Sequence, residues 1–277
     1  MNGIAASSTS RSQAIRWLAP AVLLLGSLAF FWPLLAGAHL VPFHVLAGDP
    51  ALEGIDLAAD RPDWRTYDLA PVTTFYAEKA LAAHVLRSGE LPLWSPYNAV
   101  GVALLADGQS QPFAPFFLPF LVHPTPWVYS LCVVLQILWG GLGMALFLRR
   151  LGLGGPTQIL GAVLFAFNPY LMNFAVYSNA WAFVWYPWLL WSFDRLSQDQ
   201  SRWIAPSVMV ALMGMSGHVE DAFFGAASFC VYGFVRYLQQ RSGSPKPGAW
   251  MMVATFSFGL SAWWVLPFLE YLFHASS

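Results

Sequence analysis

The sequence predicts an all-α polytopic membrane protein of about seven transmembrane helices, with a large extracytoplasmic loop after the first. Three observations carry that prediction. Of the 277 residues, 57% are apolar and 10% are charged. A soluble globular domain carries about 25% charged residues, so this chain lacks the polar side chains to cover a water-facing surface. Uncharged apolar runs recur along it, and the few charges are sorted between the segments that join those runs. The same composition excludes other classes. Disordered chains are poor in apolar residues and rich in charge. Thirteen basic against 14 acidic residues leave no basic excess, so no nucleic-acid partner is expected. Cys132 and Cys230 both lie in apolar runs, which gives neither a disulfide framework nor a zinc site.

Residues 1–16, with Arg11 and Arg16, read as a cytoplasmic tail, and 17–277 as a single transmembrane module. The first span is Trp17–Ala36, about 20 uncharged residues, enough to cross about 30 Å of hydrocarbon at 1.5 Å per residue. Ala36-Gly37-Ala38 also resembles a signal-peptidase site; the length of the apolar stretch, with Pro20 and Pro33 inside it, favours a retained span. The loop at about 37–126 follows, with nine of the 14 acids; a loop this long often carries function. Six further spans come in quick succession: Trp127–Leu148, Thr157–Asn173, Trp181–Phe193, Trp203–Met215, Ala222–Leu238 and Ala249–Leu269. Gly140, Gly141 and Gly143, with Ala145, give the second span close-packing surfaces. Trp181, Trp185, Tyr186, Trp188 and Trp191 form an aromatic cluster of the kind found at membrane interfaces.

The charges fix an orientation. With the N-terminus inside, the short inner segments hold nine of the 13 basic residues, 12 of the 14 acids fall outside, and no short outer loop carries Lys or Arg. The remaining basic residues sit in the long first loop, which escapes the positive-inside rule. The N-terminus is therefore expected in the cytoplasm, and the first loop and the C-terminus outside it.

Within the loop, Asp68–Gly89 reads as one interfacial helix. Val72, Phe75, Tyr76, Ala83 and Leu86 share a face at 100° per residue, Lys79 lies within that stripe in a position to snorkel toward phosphates, and Gly89 marks the stop. Asp68 at the start is also a natural cap. Beyond it, closely spaced Pro and Gly fix turns, Asp107-Gly108 among them.

The order Asp68…Pro71, Gly-Glu-Leu-Pro-Leu-Trp-Ser-Pro-Tyr at 89–97, Gly101…Leu104-Leu105-Ala106 and Gln109-Ser110…Pro115 resembles the first outer loop of bacterial YfhO-type membrane proteins. So do Arg149-Arg150-Leu151-Gly152-Leu153 and Gly217-His218-Val219-Glu220, where the family usually has Pro at the position of Val219. The resemblance runs from about Asp68 onward. These proteins are grouped with the GT-C glycosyltransferases, whose shared module has seven spans and a large first outer loop. Members are usually longer, so the chain is expected to lack further C-terminal spans, and a partner chain supplying them is possible.

The resemblance implies a bacterial inner-membrane enzyme that moves a sugar from a polyprenyl-phosphate-linked donor to an extracytoplasmic acceptor. It implies Asp68 as general base or as ligand to Mg²⁺ or Mn²⁺, with Asp49 the alternative metal ligand. Glu220 and His218 form a second pair on the same side of the membrane, Glu220 as a second catalytic acid. Asp107, Gln109 and Trp94 are the substrate-binding candidates of the 89–115 block, and Arg65, Lys79 and Arg87 the cations to meet a lipid phosphate. Two other readings stand beside this one: a lipid or solute transporter, and a non-catalytic or truncated module that needs a partner.

Overall fold

The computed structural model describes residues 18–46, 69–97, 101–239 and 247–275. Among them the regular structure is helical; the one extended pairing is an isolated antiparallel bridge between Ser95 and Val102. Helix α1 is Leu18–Phe30. A π-helical turn, Pro71–Tyr76, runs into α2, Ala77–Arg87. Then follow α3 (Leu118–Val122), α4 (Pro126–Arg150), α5 (Gly155–Ala166), α6 (Pro169–Asn173), α7 (Ser178–Phe183), α8 (Tyr186–Gln198), α9 (Ile204–Gly214), α10 (Val219–Gln239) and α11 (Pro247–Ala275). Two of these helices, α4 and α11, are long and apolar enough to cross a membrane.

Contacts along the helices show that their directions alternate. Leu23 of α1 meets Gly141, whereas the indole of Trp127, at the start of α4, donates to Leu34 O beyond α1 (2.8 Å). In α5, Gly161 lies against Leu148 and Phe165 against Gly140, so α5 returns along α4. α8 and α10 run parallel, from Tyr186 bonded to Asp221 O, through Phe193 on Phe229, to Asp194 beside Arg236. α11 starts near Leu196 and reaches Gly108 with Trp264. The bundle thus has two ends, one carrying Asp107 and Asp221, the other Arg150, Asp194 and Arg236. Fifteen residues separate Asp221 from Arg236, about 22 Å of helix at 1.5 Å per residue.

The middle is held by close packing. A Cβ added at Gly140 would stand 2.8 Å from Phe165, at Gly141 2.9 Å from Leu23, and at Gly143 2.5 Å from the Trp188 indole. Three glycines on α4 therefore admit α5, α1 and α8 to backbone contact, as expected of such residues in an apolar bundle. Trp188 then stacks on Trp139 (4.1 Å between ring centroids, 17° between planes) and donates to Trp139 O (3.0 Å). The outer faces of α10 and α11, with Phe223, Phe224, Phe234, Met251, Phe258 and Leu266 exposed, are an apolar surface larger than water tolerates.

The third and fourth expected spans are not continuous helices. Asn168-Pro169 divides the former into α5 and α6. Proline lacks the N–H that would continue the ladder, and Asn168 closes both ends, donating to Phe165 O (2.6 Å) and accepting from Leu171 N (2.9 Å). The turn at Val184-Trp185, with Pro187 in the next turn, divides α7 from α8. The non-helical stretch between α6 and α7 needs partners for its carbonyls; Tyr129 on α4 donates to Val176 O (2.7 Å) and Gln136 to Ala175 O (3.2 Å).

At the basic end, Asp194 is 1% exposed and accepts from Arg150 Nε (2.7 Å) and Arg236 Nη2 (3.0 Å). One carboxylate therefore ties α4, α8 and α10. Replacing it strands two guanidinium groups, which in buried sites costs about 3 kcal/mol or more. Asp194→Leu is expected to lower the melting temperature of the detergent-solubilised protein sharply. Asp199→Ala, at the exposed Asp199–Arg202 pair (2.8 Å), is expected to leave it unchanged.

Candidate functional site

The acidic end of the bundle is assembled from four pieces of chain. The first is the helix through Pro71–Arg87. Its buried positions, Val72, Phe75, Glu78, Lys79, Ala82 and Ala83, repeat at helical spacing. Pro71, with its fixed φ, opens the π-helical turn; the expected start at Asp68 lies outside the described residues. The helix ends as expected at Gly89, which has φ +85° and donates to Leu86 O (3.1 Å). Phe75 packs on Tyr177 (5.0 Å between rings), which places this helix beside the start of α7.

Lys79 is completely buried, not snorkelling at a surface. Its ammonium donates to Gln109 O (2.9 Å) and stands 5.1 Å from the centre of the Trp181 ring, a cation–π contact. The second piece is the turn at 107–111. Asp107 accepts from the backbone N–H of Gln109, and Gln111 N donates to Gly108 O (3.2 Å). Ser178, at the start of α7, gives a second hydrogen bond to Gln109 O (3.3 Å).

The third and fourth pieces are α7 and the α9–α10 turn. Gly217 has φ +82°, and a Cβ there would collide with Gly108 O and approach Gln111 Cγ at 2.7 Å; only glycine lets this turn seat on the 107–111 turn. The next residue, His218, has Nδ1 2.8 Å from Asp221 Oδ2 and Nε2 3.1 Å from Asn179 Nδ2. The backbone N–H of Asp221 also points at Nδ1 (3.3 Å), so the ring is held from both nitrogens, by the first turn of α10 and by Asn179 of α7. Tyr170 of α6 donates to Asp221 Oδ1 (3.0 Å).

Lys79, Asp107, Gln109 and His218 are thus brought together. Glu220 is on the same turn of α10 but exposed, while Asp221 beside it is buried and bonded. Trp94 lies over Gly101 in the turn closed by Ser95 and Val102, more than half exposed. Arg87 is exposed eight residues beyond Lys79, about 12 Å along the helix. Asp49, Arg65 and Asp68 lie outside the described residues. Among the described residues no group of three or more His, Cys, Asp or Glu side chains is placed to hold a metal ion.

Sequence reading missed Glu78, Tyr170, Ser178, Asn179 and Asp221. The three-residue spacing of His218 and Asp221 puts both on one helix face and carried that signal. The contact of Asn179 with His218 spans 39 residues and left none. Comparison with family models, curated proteins and solved structures finds no match to this chain.

Glu78, 6% exposed, has its Oε2 unpaired among the described residues. Burial, and secondarily the Asp107 carboxylate, push its pKa up to about 7 against the pull of Lys79. Burial pushes Lys79 down to about 7, and Asp107 is raised by burial. Between pH 4.5 and 7 the folded state keeps the Glu78 proton that the unfolded chain releases, so this group's contribution to stability falls as pH rises. Between 7 and 10.5 the unfolded chain holds the Lys79 proton and the folded state does not, so that contribution rises with pH. Glu78→Gln is therefore expected to match wild type in melting temperature near pH 4.5 and to gain on it up to pH 8. Wild type is expected to gain on Lys79→Met from pH 7 to pH 10.

Proposed function

We propose that the chain is a membrane glycosyltransferase that moves a sugar from a polyprenyl-phosphate-linked donor to an acceptor outside the cytoplasmic membrane of a bacterium. The observation that carries this reading is the docking of the loop turn at Gly108 onto Gly217. It supports a single site built from the loop block and the Gly-His-Val-Glu block, the two segments in which the chain resembles YfhO-type proteins. Asp68 immediately precedes the helix that packs Phe75 on Tyr177, next to Ser178 and Asn179.

In this reading the helices span the membrane about seven times, with α5–α6 and α7–α8 as broken spans. The basic end lies in the cytoplasm and the acidic end outside. In the reaction the acceptor oxygen attacks the anomeric carbon. The bond from that carbon to the phosphate oxygen breaks and the lipid phosphate leaves with the electron pair. The acceptor proton passes to the Asp68 carboxylate, as general base. Glu220, exposed beside His218, faces the developing positive charge on the sugar. A divalent cation, Mg²⁺ or Mn²⁺ held through Asp68 or Asp49, would supply charge neutralisation at the phosphate. Lys79 is spent on Gln109 O and Trp181, which leaves Arg65 and Arg87 as the phosphate partners.

Broken helices also suit a transporter, whose ionisable groups sit at mid-membrane. Here the buried charged groups of the described residues gather at the two ends of the bundle, which favours chemistry at one face.

Membranes from cells expressing the chain are expected to transfer labelled sugar from undecaprenyl-phosphate-linked donors. Asp68→Asn is expected to reduce transfer by about 100-fold or more, the usual contribution of a general base. Equal transfer by both removes Asp68 from the mechanism. Absence of transfer, restored by a co-expressed membrane partner, identifies the chain as a module of a larger assembly.

A further inference from the structure

Gln111 is the single non-glycine residue with positive φ among the described residues (+51°). It is 1% exposed, and neither its amide oxygen nor its amide nitrogen has a hydrogen-bond partner there. Two residues earlier, the buried Oε1 of Gln109 is also unpaired, and on the adjoining helix so is Glu78 Oε2. A left-handed non-glycine backbone costs energy, and so does each buried polar atom without a partner. Such strain persists where surrounding contacts enforce it and where function uses it.

The enforcing contacts are visible. Lys79 and Ser178 hold Gln109 O, Ser110 Oγ donates to Leu104 O (2.8 Å), and Ala114 N donates to Gln111 O (3.1 Å). Gly217 presses on Gly108 and Gln111, and the Trp264 indole lies over Gly108. The turn cannot relax to pair its own side chains.

The chemistry of the unpaired groups selects a ligand. An amide offers two donors and an acceptor, a second amide oxygen accepts, and a carboxyl accepts or donates according to its protonation. The one cation in the cluster is already bonded to a carbonyl and an aromatic face, so nothing there is free to neutralise phosphate. Groups that both donate and accept, without charge, match hydroxyls. We propose that Gln111, Gln109 Oε1 and Glu78 form a subsite that hydrogen-bonds the hydroxyls of a sugar, the neutral part of the lipid-linked donor. This rests on the transferase reading for the identity of the donor, and not for the chemistry of the subsite.

The test uses the full chain purified in detergent. Melting temperature is measured alone, with undecaprenyl phosphate, and with undecaprenyl phosphate carrying glucose, mannose, galactose or N-acetylglucosamine. At least one sugar-bearing lipid is expected to raise it by about 2–4 °C beyond the sugar-free lipid. Gln111→Leu, which removes the unpaired amide, is expected to raise the ligand-free melting temperature and abolish that increment. Gln111→Gly, which adopts φ +51° without strain, serves as a second variant and is expected to lose the increment while remaining folded. The proposal is overturned if sugar-bearing and sugar-free lipids act alike, if none shifts the melting temperature, or if the increment survives both substitutions. A fall in ligand-free stability for Gln111→Leu also overturns it, because the amide would then be serving the fold. A sugar-dependent shift without sugar transfer keeps the subsite and removes the transferase reading.

Discussion

The acidic end of this molecule depends on one buried ammonium. Lysine is almost never fully buried unless paired, and Lys79 has no exposed surface. It donates to a backbone carbonyl and lies against an aromatic face rather than an acid. The carbonyl of Gln109 also accepts from Ser178, so the two lone pairs of one oxygen join α2, the 107–111 turn and α7. Fixing that peptide fixes its neighbour Gly108, the point where Gly217 arrives from the α9–α10 turn and Trp264 from α11. Removing Lys79 would release the turn that the other elements use as a seat. The desolvation that this costs is why Lys79 and Glu78 titrate in opposite senses toward the same pH.

The other end solves the complementary problem. There one acid, Asp194, serves two arginines and accepts weaker contacts from Tyr232 and Gln198 (3.4 Å each). Between the ends, helices hold together by glycine contacts and ring stacking. In an apolar surrounding the hydrophobic effect gives no preference for helix over lipid, and packing with satisfied hydrogen bonds must supply the association. Some polar groups in the middle are paired across helices, as Trp185 Nε1 is with Ser216 Oγ (3.0 Å) and Ser257 Oγ with Ser207 O (3.2 Å).

What was legible in the sequence follows from the range of each signal. The helical character, the α4 helix with its glycines, the face of the 71–87 helix and its stop at Gly89 are local patterns, and local patterns survive into the structure. Whole spans at Thr157–Asn173 and Trp181–Phe193 were not legible as broken helices. Their hydropathy is continuous, and the break at Val184-Trp185 is marked by Pro187 alone, which is equally at home in the first turn of a helix. The burial of Lys79 was invisible because its partners come from 30 residues later in the chain and from Trp181. An isolated amphipathic helix would have snorkelled it. The aromatic run at Trp181–Trp191 looked interfacial, yet Trp181, Trp185 and Trp188 are buried in the core. There Trp181 and Trp185 contact Phe116 in the segment that follows the outer-loop turn.

Glu220 and Asp221 show how adjacent acids divide labour. Residues one apart on a helix point about 100° apart, so a helix lying against a bundle buries one and exposes the other. Asp221 is the buried one, and Tyr170 and His218 occupy its two oxygens. A carboxylate so surrounded is poorly placed to meet an incoming ligand, but well placed to hold the imidazole beside it. Glu220, exposed and in the first turn of α10, carries no such duty. Its charge is favoured there by the helix N-terminus. The structural requirement for an acid at this turn is therefore met by Asp221 alone. Glu220 is left exposed in that first turn, where the helix N-terminus favours its charge without binding it to a neighbour.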